Sequence, residues 1–170
     1  MQVILFRPQP KNSFSDIMHW SHQQYNQLSL NQLYQILQLR AEVFVVEQNC
    51  PFNDLDGKDQ YCTHLMCISD DDQLLAYTRI VPPTISYPEP SIGRVITAKS
   101  VRNLKLGKAL MIRSIQLCEQ LHGQQNIQIG AQLYLKKFYE SFGFEQTGSI
   151  YLEDGIEHIL MLRVAETIIE

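Results

Sequence analysis

Residues 101–111 read VRNLKLGKALM, placing Arg102, Lys105 and Lys108 around a single glycine directly ahead of an amphipathic pattern. Upstream, SIGRVIT has the composition of a strand ending near Thr97. Downstream, Leu110, Leu117 and Leu121 with Met111, Ile115 and Cys118 form a broad apolar stripe closed by Gly123. A strand, a short link and a helix starting near Gly107 aim unpaired backbone N–H groups and the positive helix end at one place, which makes an anion site. A Cβ at residue 107 would hold a phosphate away from those amides, and the three cations add full charges. A turn glycine with a solvated cationic face is the alternative reading of the same residues.

The chain around this stretch is 170 residues long and 45% hydrophobic, enough for one domain with a sizeable core. Lys and Arg total 14 against 18 Asp and Glu, a net charge of −4, so the broad basic footprint of nucleic-acid binding is not expected. Cys50, Cys62, Cys67 and Cys118 form no CxxC pair and read as buried thiols in a reducing compartment. The first apolar run, Val3 to Phe6, is followed by Arg7 and Pro8 and is too short for a signal-peptide core or a membrane span, so a cytoplasmic protein is expected. Residues 1–17 break any period and read as an N-terminal extension, with Met18 as an alternative start of translation. Residues 18–165 read as the domain.

Ser29 and Gln32 form a capping-box signature ahead of Leu30, Leu33, Leu37 and Phe44, predicting a helix from about residue 30 into the low forties. VFVVEQNCPFNDLDGKD then passes into a loop rich in carboxylates. THLMCIS and LLAYTRIV read as a hairpin, PPTISYPEP as a loop, and NIQIGA as a short strand. Leu135, Phe138, Tyr139 and Phe142 recur at helical spacing up to Gly143, and SIYLEDGIEHILML closes as a hairpin about Asp154-Gly155. The order predicts an α/β (α+β) fold, a mixed central sheet flanked by helices.

The ligand class follows by elimination. The P-loop pattern nearly occurs, but Arg102 stands at its first glycine and Ala109 at its metal-binding hydroxyl; no GxGxxG is present. A diphosphate held without metal, as in coenzyme A, fits what remains. Asp54, Asp56 and Gly57 are similar to a calcium loop, yet Phe52 and Thr63 fill positions that need ligands, so no metal is expected.

IGRVIT, VRNLKLGKALM and IGAQLYLKKFYESFGF together resemble the GNAT acetyltransferases, and LYQILQLRAEVFVVEQNCPFNDLDGKD with YLEDGIEHILML resembles the ElaA-type branch. The resemblance runs from about Met18 to Arg163. It implies the GNAT acyl-CoA N-acyltransferase fold and transfer of an acetyl group from acetyl-CoA, the cosubstrate, to a primary amine by direct attack. It implies that Val95, Ile96 and Thr97 hold the pantetheine and polarise the thioester. It implies that Arg102, Asn103, Leu104, Lys105, Leu106, Gly107, Lys108 and Ala109 form the phosphate loop, with Lys105 where the family pattern has its first glycine. Tyr139 falls where the family places a tyrosine beside the thioester sulfur as general acid; by pattern alone it is a core residue.

The attacking amine must be neutral, and a lysine-like amine at pH 7 is deprotonated in only about one of several thousand molecules. Candidates for the base are Glu47, Asp54, Asp56, His64, Glu89 and His158, of which His158 and Glu47 lie in the ElaA-like blocks. The acidic run 42–59 is expected to attract a cationic acceptor and the basic run 99–108 the coenzyme phosphates. The acceptor is a small-molecule or peptide amine, no nucleic acid or membrane partner is expected, and a homodimer stays open. A non-catalytic acyl-CoA-binding or sensing module is the rival reading.

Overall fold

The computed structural model of the chain describes residues 18–165. The N-terminal extension expected over residues 1–17 lies outside the described residues. Its first element is β1 (Met18–Gln24), followed by α1 (Leu30–Arg40), β2 (Thr63–Ser69), β3 (Leu74–Val81) and β4 (Ser91–Thr97). After β4 come α2 (Leu106–His122), β5 (Ile127–Gln132), α3 (Lys136–Glu140), β6 (Phe144–Glu153) and β7 (Ile156–Arg163). The capping box is present: Gln32 N–H donates to Ser29 Oγ at 3.2 Å and Ser29 N–H to Gln32 Oε1 at 2.9 Å. The hairpin turn has Asp154 at φ 49° and Gly155 at φ 80°, the left-handed pair that a two-residue turn between twisted strands requires.

The α+β class holds, and the strands divide into two antiparallel sheets, ordered β1-β2-β3-β4 and β5-β7-β6. Strand alternation assigns the faces. Met66 and Ile68 of β2 with Tyr77 of β3 meet Ile36 and Leu39 of α1. Leu65, Cys67, Ala76 and Ile80 point the other way and join Leu110, Met111, Ile115 and Cys118 of α2, together with Ile127, Ile129, Ile159 and Met161 of the second sheet. β2 therefore lacks polar alternation because both of its faces are covered. All four cysteines are buried free thiols.

β4 and β5 are the facing edge strands of the two sheets. Gln128 N–H donates to the Pro90 carbonyl at 3.1 Å where they start, and farther on they part. β4 carries a bulge: Tyr77 pairs with Ile96 and Arg79 with Gly93, so one strand advances two residues while the other advances three. The additional residue is Arg94, at φ 57°.

Around Arg94 lies a largely buried network of ion pairs built on carboxylates that were expected from sequence to attract a cationic acceptor. Arg40 has no exposed surface; its Nε donates to Asp54 Oδ2 at 2.7 Å, Nη1 to Asp59 Oδ1 at 2.8 Å and Nη2 to the Asp54 carbonyl at 2.9 Å. Arg79 holds Asp56 through two bonds of 2.8 and 2.7 Å and Asp59 through one of 2.8 Å. Arg94 holds Asp54 through Nε at 2.6 Å and lies over the rings of Phe44 and Phe52. Three arginines thus neutralise three aspartates, and the acidic run is an internal fastener, not a lure for a cationic acceptor. His64, also fully buried, bonds Tyr77 Oη at 2.8 Å and the Asp59 carbonyl at 3.0 Å, with burial lowering its pKa.

Burial opposes ionisation of Asp56 and Asp59, but the Arg79 guanidinium outweighs it and holds both carboxyls below the ordinary range. Carboxyls depressed in the fold contribute stability that is present above their unfolded pKa and lost as pH falls through the folded one. Urea unfolding is expected to weaken first below about pH 6.5, where unfolded His64 takes a proton that the buried ring refuses, and further below about pH 4 as these carboxyls are protonated. Arg40→Ala takes one guanidinium from two buried carboxylates, which keep Arg94 and Arg79, and is expected to cost about 1.5–3 kcal/mol. Arg102→Ala, which breaks an exposed pair, is expected to cost at most about 1 kcal/mol in the same titration.

Candidate active site

The parting of β4 from β5 opens a cleft of about 480 Å³, lined by Arg94 to Thr97 of β4 and Gly130 to Gln132 of β5, with Tyr139, Arg102 and His158 in its walls. Edge strands leave one side of their backbone unpaired, so each wall offers N–H and C=O groups to an extended ligand. Three residues expected on the coenzyme strand, Val95, Ile96 and Thr97, therefore line the cleft.

The phosphate loop stands at one end. Lys99–Leu104 forms a 3-10 turn, and α2 begins at Leu106 without a side-chain cap. Val101 and Leu106 are buried in the core and pin the two ends; Arg102, Asn103, Leu104 and Lys105 between them are exposed, as is Lys108, while Gly107 and Ala109 are partly exposed. A Cβ built on Gly107 meets nothing within 4 Å, so the space before the helix end is open. Among the described residues Lys105 and Lys108 have no acidic partner. Open amides and free ammonium groups at the start of a 17-residue helix are a donor set that suits a diphosphate.

Lys105 is the N-cap of α2 at φ 58° and ψ 19°, in the left-handed region. Glycine reaches that region without the Cβ clash that burdens other residues. The departure from the family pattern is thus accommodated by a strained lysine.

Arg102 is not free. Its Nη1 and Nη2 donate to the two carboxylate oxygens of Glu47 at 2.6 and 2.8 Å. Glu47 ends a π-helical stretch, Ala41–Glu47, whose wider turn continues α1 and brings Val43, Phe44 and Glu47 to the cleft. The Arg102 hydrogen bond lowers the Glu47 pKa, which makes this carboxylate a weak proton acceptor. Gln48 and Gln132 are joined by a bond of 3.0 Å between the two walls.

Tyr139 is 7% exposed, its ring held edge-on by Phe138 and Phe144. Burial, then the neighbouring Tyr134, push its pKa to about 12, so the phenol keeps its proton at neutral pH. No described residue takes its hydroxyl. His158 is half-buried, and its Nδ1 lies 2.9 Å from the Ile156 carbonyl. A carbonyl only accepts, so Nδ1 carries the hydrogen and the neutral ring has its lone pair on Nε2.

The structure gathers Tyr139, His158, Glu47, Arg102 and residues 95–97 around one cleft; His64 and Asp54 are buried elsewhere, and the exposed Asp56 is taken up by its pair with Arg79. Glu89 is not in the cleft wall. Sequence reading missed Cys50, whose thiol donates to the Asp154 carbonyl at 3.4 Å, and Tyr134, Gln132 and Glu153. The nearest signal was the Asp154-Gly155 turn, which fixes where the hairpin tip must stand.

A cleft between splayed edge strands, beside the loop that leads into a long helix, is the architecture of the acyl-CoA N-acyltransferase fold. Residues 22–164 match the acetyltransferase (GNAT) domain model, and the chain belongs to that family. It is 40% identical over 148 residues to Protein ElaA of Escherichia coli, covering 86% of this chain and 97% of that one. The crystal structure of Escherichia coli ElaA superposes with a TM-score of 0.80, covering 86% and 99% of the two chains. An acyl-CoA N-acyltransferase from Pseudomonas aeruginosa, 40% identical, superposes at 0.82 with coverage of 86% and 99%. No helix among the described residues is long and apolar enough to cross a membrane.

Lys105→Gly relieves the left-handed backbone and is expected to raise unfolding free energy by about 1 kcal/mol. Loss of the ammonium is expected to weaken coenzyme A binding several-fold, so calorimetry and urea titration should move in opposite directions.

Proposed function

We propose that the protein transfers an acetyl group from acetyl-CoA to a primary amine by direct attack, with Tyr139 as general acid and His158 as general base. The observation that supports the reading is the meeting, in one cleft, of a protonated buried phenol, an imidazole with a free Nε2, and Arg102 of the loop that leads into the start of α2.

Lys105, Lys108 and the first amides of α2 hold the coenzyme diphosphate, and Arg102, kept in its pair with Glu47, adds positive potential beside them. The unpaired edge of β4 at Val95 to Thr97 aligns the pantetheine and donates to the thioester oxygen. Nε2 of His158 takes a proton from the ammonium form of the acceptor, directly or through water. The freed nitrogen attacks the carbonyl, forming the C–N bond as the C–S bond breaks. A thiol with pKa near about 8.5 leaves more readily when protonated, and the Tyr139 hydroxyl supplies that proton. The surplus proton on the new amide nitrogen passes through water to the Tyr139 phenolate, His158 releases its proton to solvent, and the products are an amide and coenzyme A. No metal enters the scheme, and the cytoplasm, where acetyl-CoA is made and thiols stay reduced, is its proposed setting.

Release of coenzyme thiol is the direct assay, run with acetyl-CoA and a panel of amines. Tyr139→Phe is expected to lower kcat about 10²-fold with acetyl-CoA affinity nearly unchanged, since the lost proton transfer acts only in the transition state. An unaltered kcat removes Tyr139 from the chemistry. Tight acetyl-CoA binding with no turnover on any amine establishes the sensing module instead.

A further inference from the structure

We infer that the acceptor carries a second cationic group, seated at the cleft mouth against Glu153, and that Glu153 sets this preference. The inference rests on the acyl-transfer reading and names the substrate class for the same cleft.

The argument is one of charge. Each arginine of the cleft wall is already neutralised: Arg94 by Asp54 at 2.6 Å and Arg102 by Glu47 at 2.6 Å. The aspartates of the 50–62 loop are likewise spent on Arg40, Arg79 and Arg94. That leaves Glu153 and Asp154, which line the cleft and, among the described residues, have no cationic partner. The uncompensated charge at this end is negative, and it favours an ammonium.

The surroundings of Glu153 suit an organic cation better than a metal ion. β6 and β7 pair Tyr151 with His158 and Glu153 with Ile156, so strand alternation sets Tyr151, Glu153 and His158 on one face of the second sheet. Gly130 of β5 sits beneath them: a Cβ there would lie 3.0 Å from the Tyr87 hydroxyl and 3.2 Å from that of Tyr151. The absent side chain gives two phenols room to converge beside the carboxylate. Burial, then Tyr87 and Glu153, push the Tyr151 pKa to about 12, so both oxygens remain neutral hydroxyls. Aromatic rings and neutral hydroxyls around one carboxylate bind an alkylammonium through charge, hydrogen bonds and ring faces together. His158, its ring tilted against that of Tyr151 with centroids 5.9 Å apart, lines the same cleft as Glu153. A diamine would place one ammonium on Glu153 and direct its other nitrogen past His158 toward the thioester.

The test compares diaminobutane with butylamine as acceptors. The wild-type protein is expected to favour the diamine in kcat/KM by about fivefold or more at low salt, a preference that shrinks as ionic strength rises. Glu153→Gln is expected to bring the ratio near unity, whereas Glu157→Gln, the same charge change on the opposite face of β7, preserves it. A destabilised fold would reduce both rates and leave the ratio alone. Absence of a diamine preference in the wild type, or its survival in Glu153→Gln, overturns the inference. Should neither amine be acetylated, the acyl-transfer reading fails and calorimetry of diaminobutane with coenzyme A-loaded protein decides the subsite. Heat that vanishes in Glu153→Gln then upholds the cation site, and absent or unchanged heat overturns it.

Discussion

The cleft exists because two strand edges that meet at Pro90 and Gln128 do not stay together. Left alone, exposed edges of a β-strand seek a partner. Here the bulge at Arg94 turns β4 away, and the guanidinium of that same residue is clasped through Nε by the Asp54 carboxylate and through Nη2 by the Asp54 carbonyl at 3.1 Å. Asp54 is in turn fixed by Arg40 from the opposite side. A left-handed non-glycine residue costs roughly 1–3 kcal/mol and persists only where its surroundings over-determine it. The arginine–aspartate network supplies that determination, so the opening between the sheets and the interior ion pairs are one construction.

The network also explains why the loop from Gln48 to β2, whose only regular piece is the 3-10 turn Asp59–Tyr61, is ordered. Burying three guanidinium–carboxylate partners is not a route to high stability, because desolvation offsets most of the Coulomb gain. Its effect is geometric. Planar guanidinium groups meet carboxylates in fixed directions, so the loop can close over β3 and β4 in one arrangement, which puts Cys50 and Phe52 in the cleft wall.

The sequence made the elements readable wherever local chemistry decides them. The Ser29–Gln32 cap, the stop at Gly123 and the Asp154-Gly155 turn each act within a few residues, and each is present. What sequence could not show is pairing at a distance. Arg40 and Asp54 are separated by 14 residues and Arg94 and Asp54 by 40, so a run of carboxylates looked solvated when its counter-ions came from three other elements. The same limit hid the pair between Glu47 and Arg102, 55 residues apart. Two sheets instead of one mixed sheet follow from the parting of β4 and β5, which depends on a bulge that no composition signals.

In the proposed scheme Tyr139 and His158 divide acid from base by their surroundings. Tyr139 sits among Phe138, Phe144 and the core, where removal from water penalises the phenolate and keeps the proton in place. His158 occupies a half-buried position on a strand whose own backbone carbonyl, that of Ile156, occupies one ring nitrogen and leaves the other as the acceptor. Neither arrangement needs a charged neighbour: apolar burial sets one and a single hydrogen bond sets the other. Charges are reserved for the ends of the cleft, with lysines beside the start of α2 and carboxylates at the tip of the β6–β7 hairpin. In the proposed reaction the anionic coenzyme and the cationic acceptor are therefore drawn to different ends of the cleft before any chemistry begins.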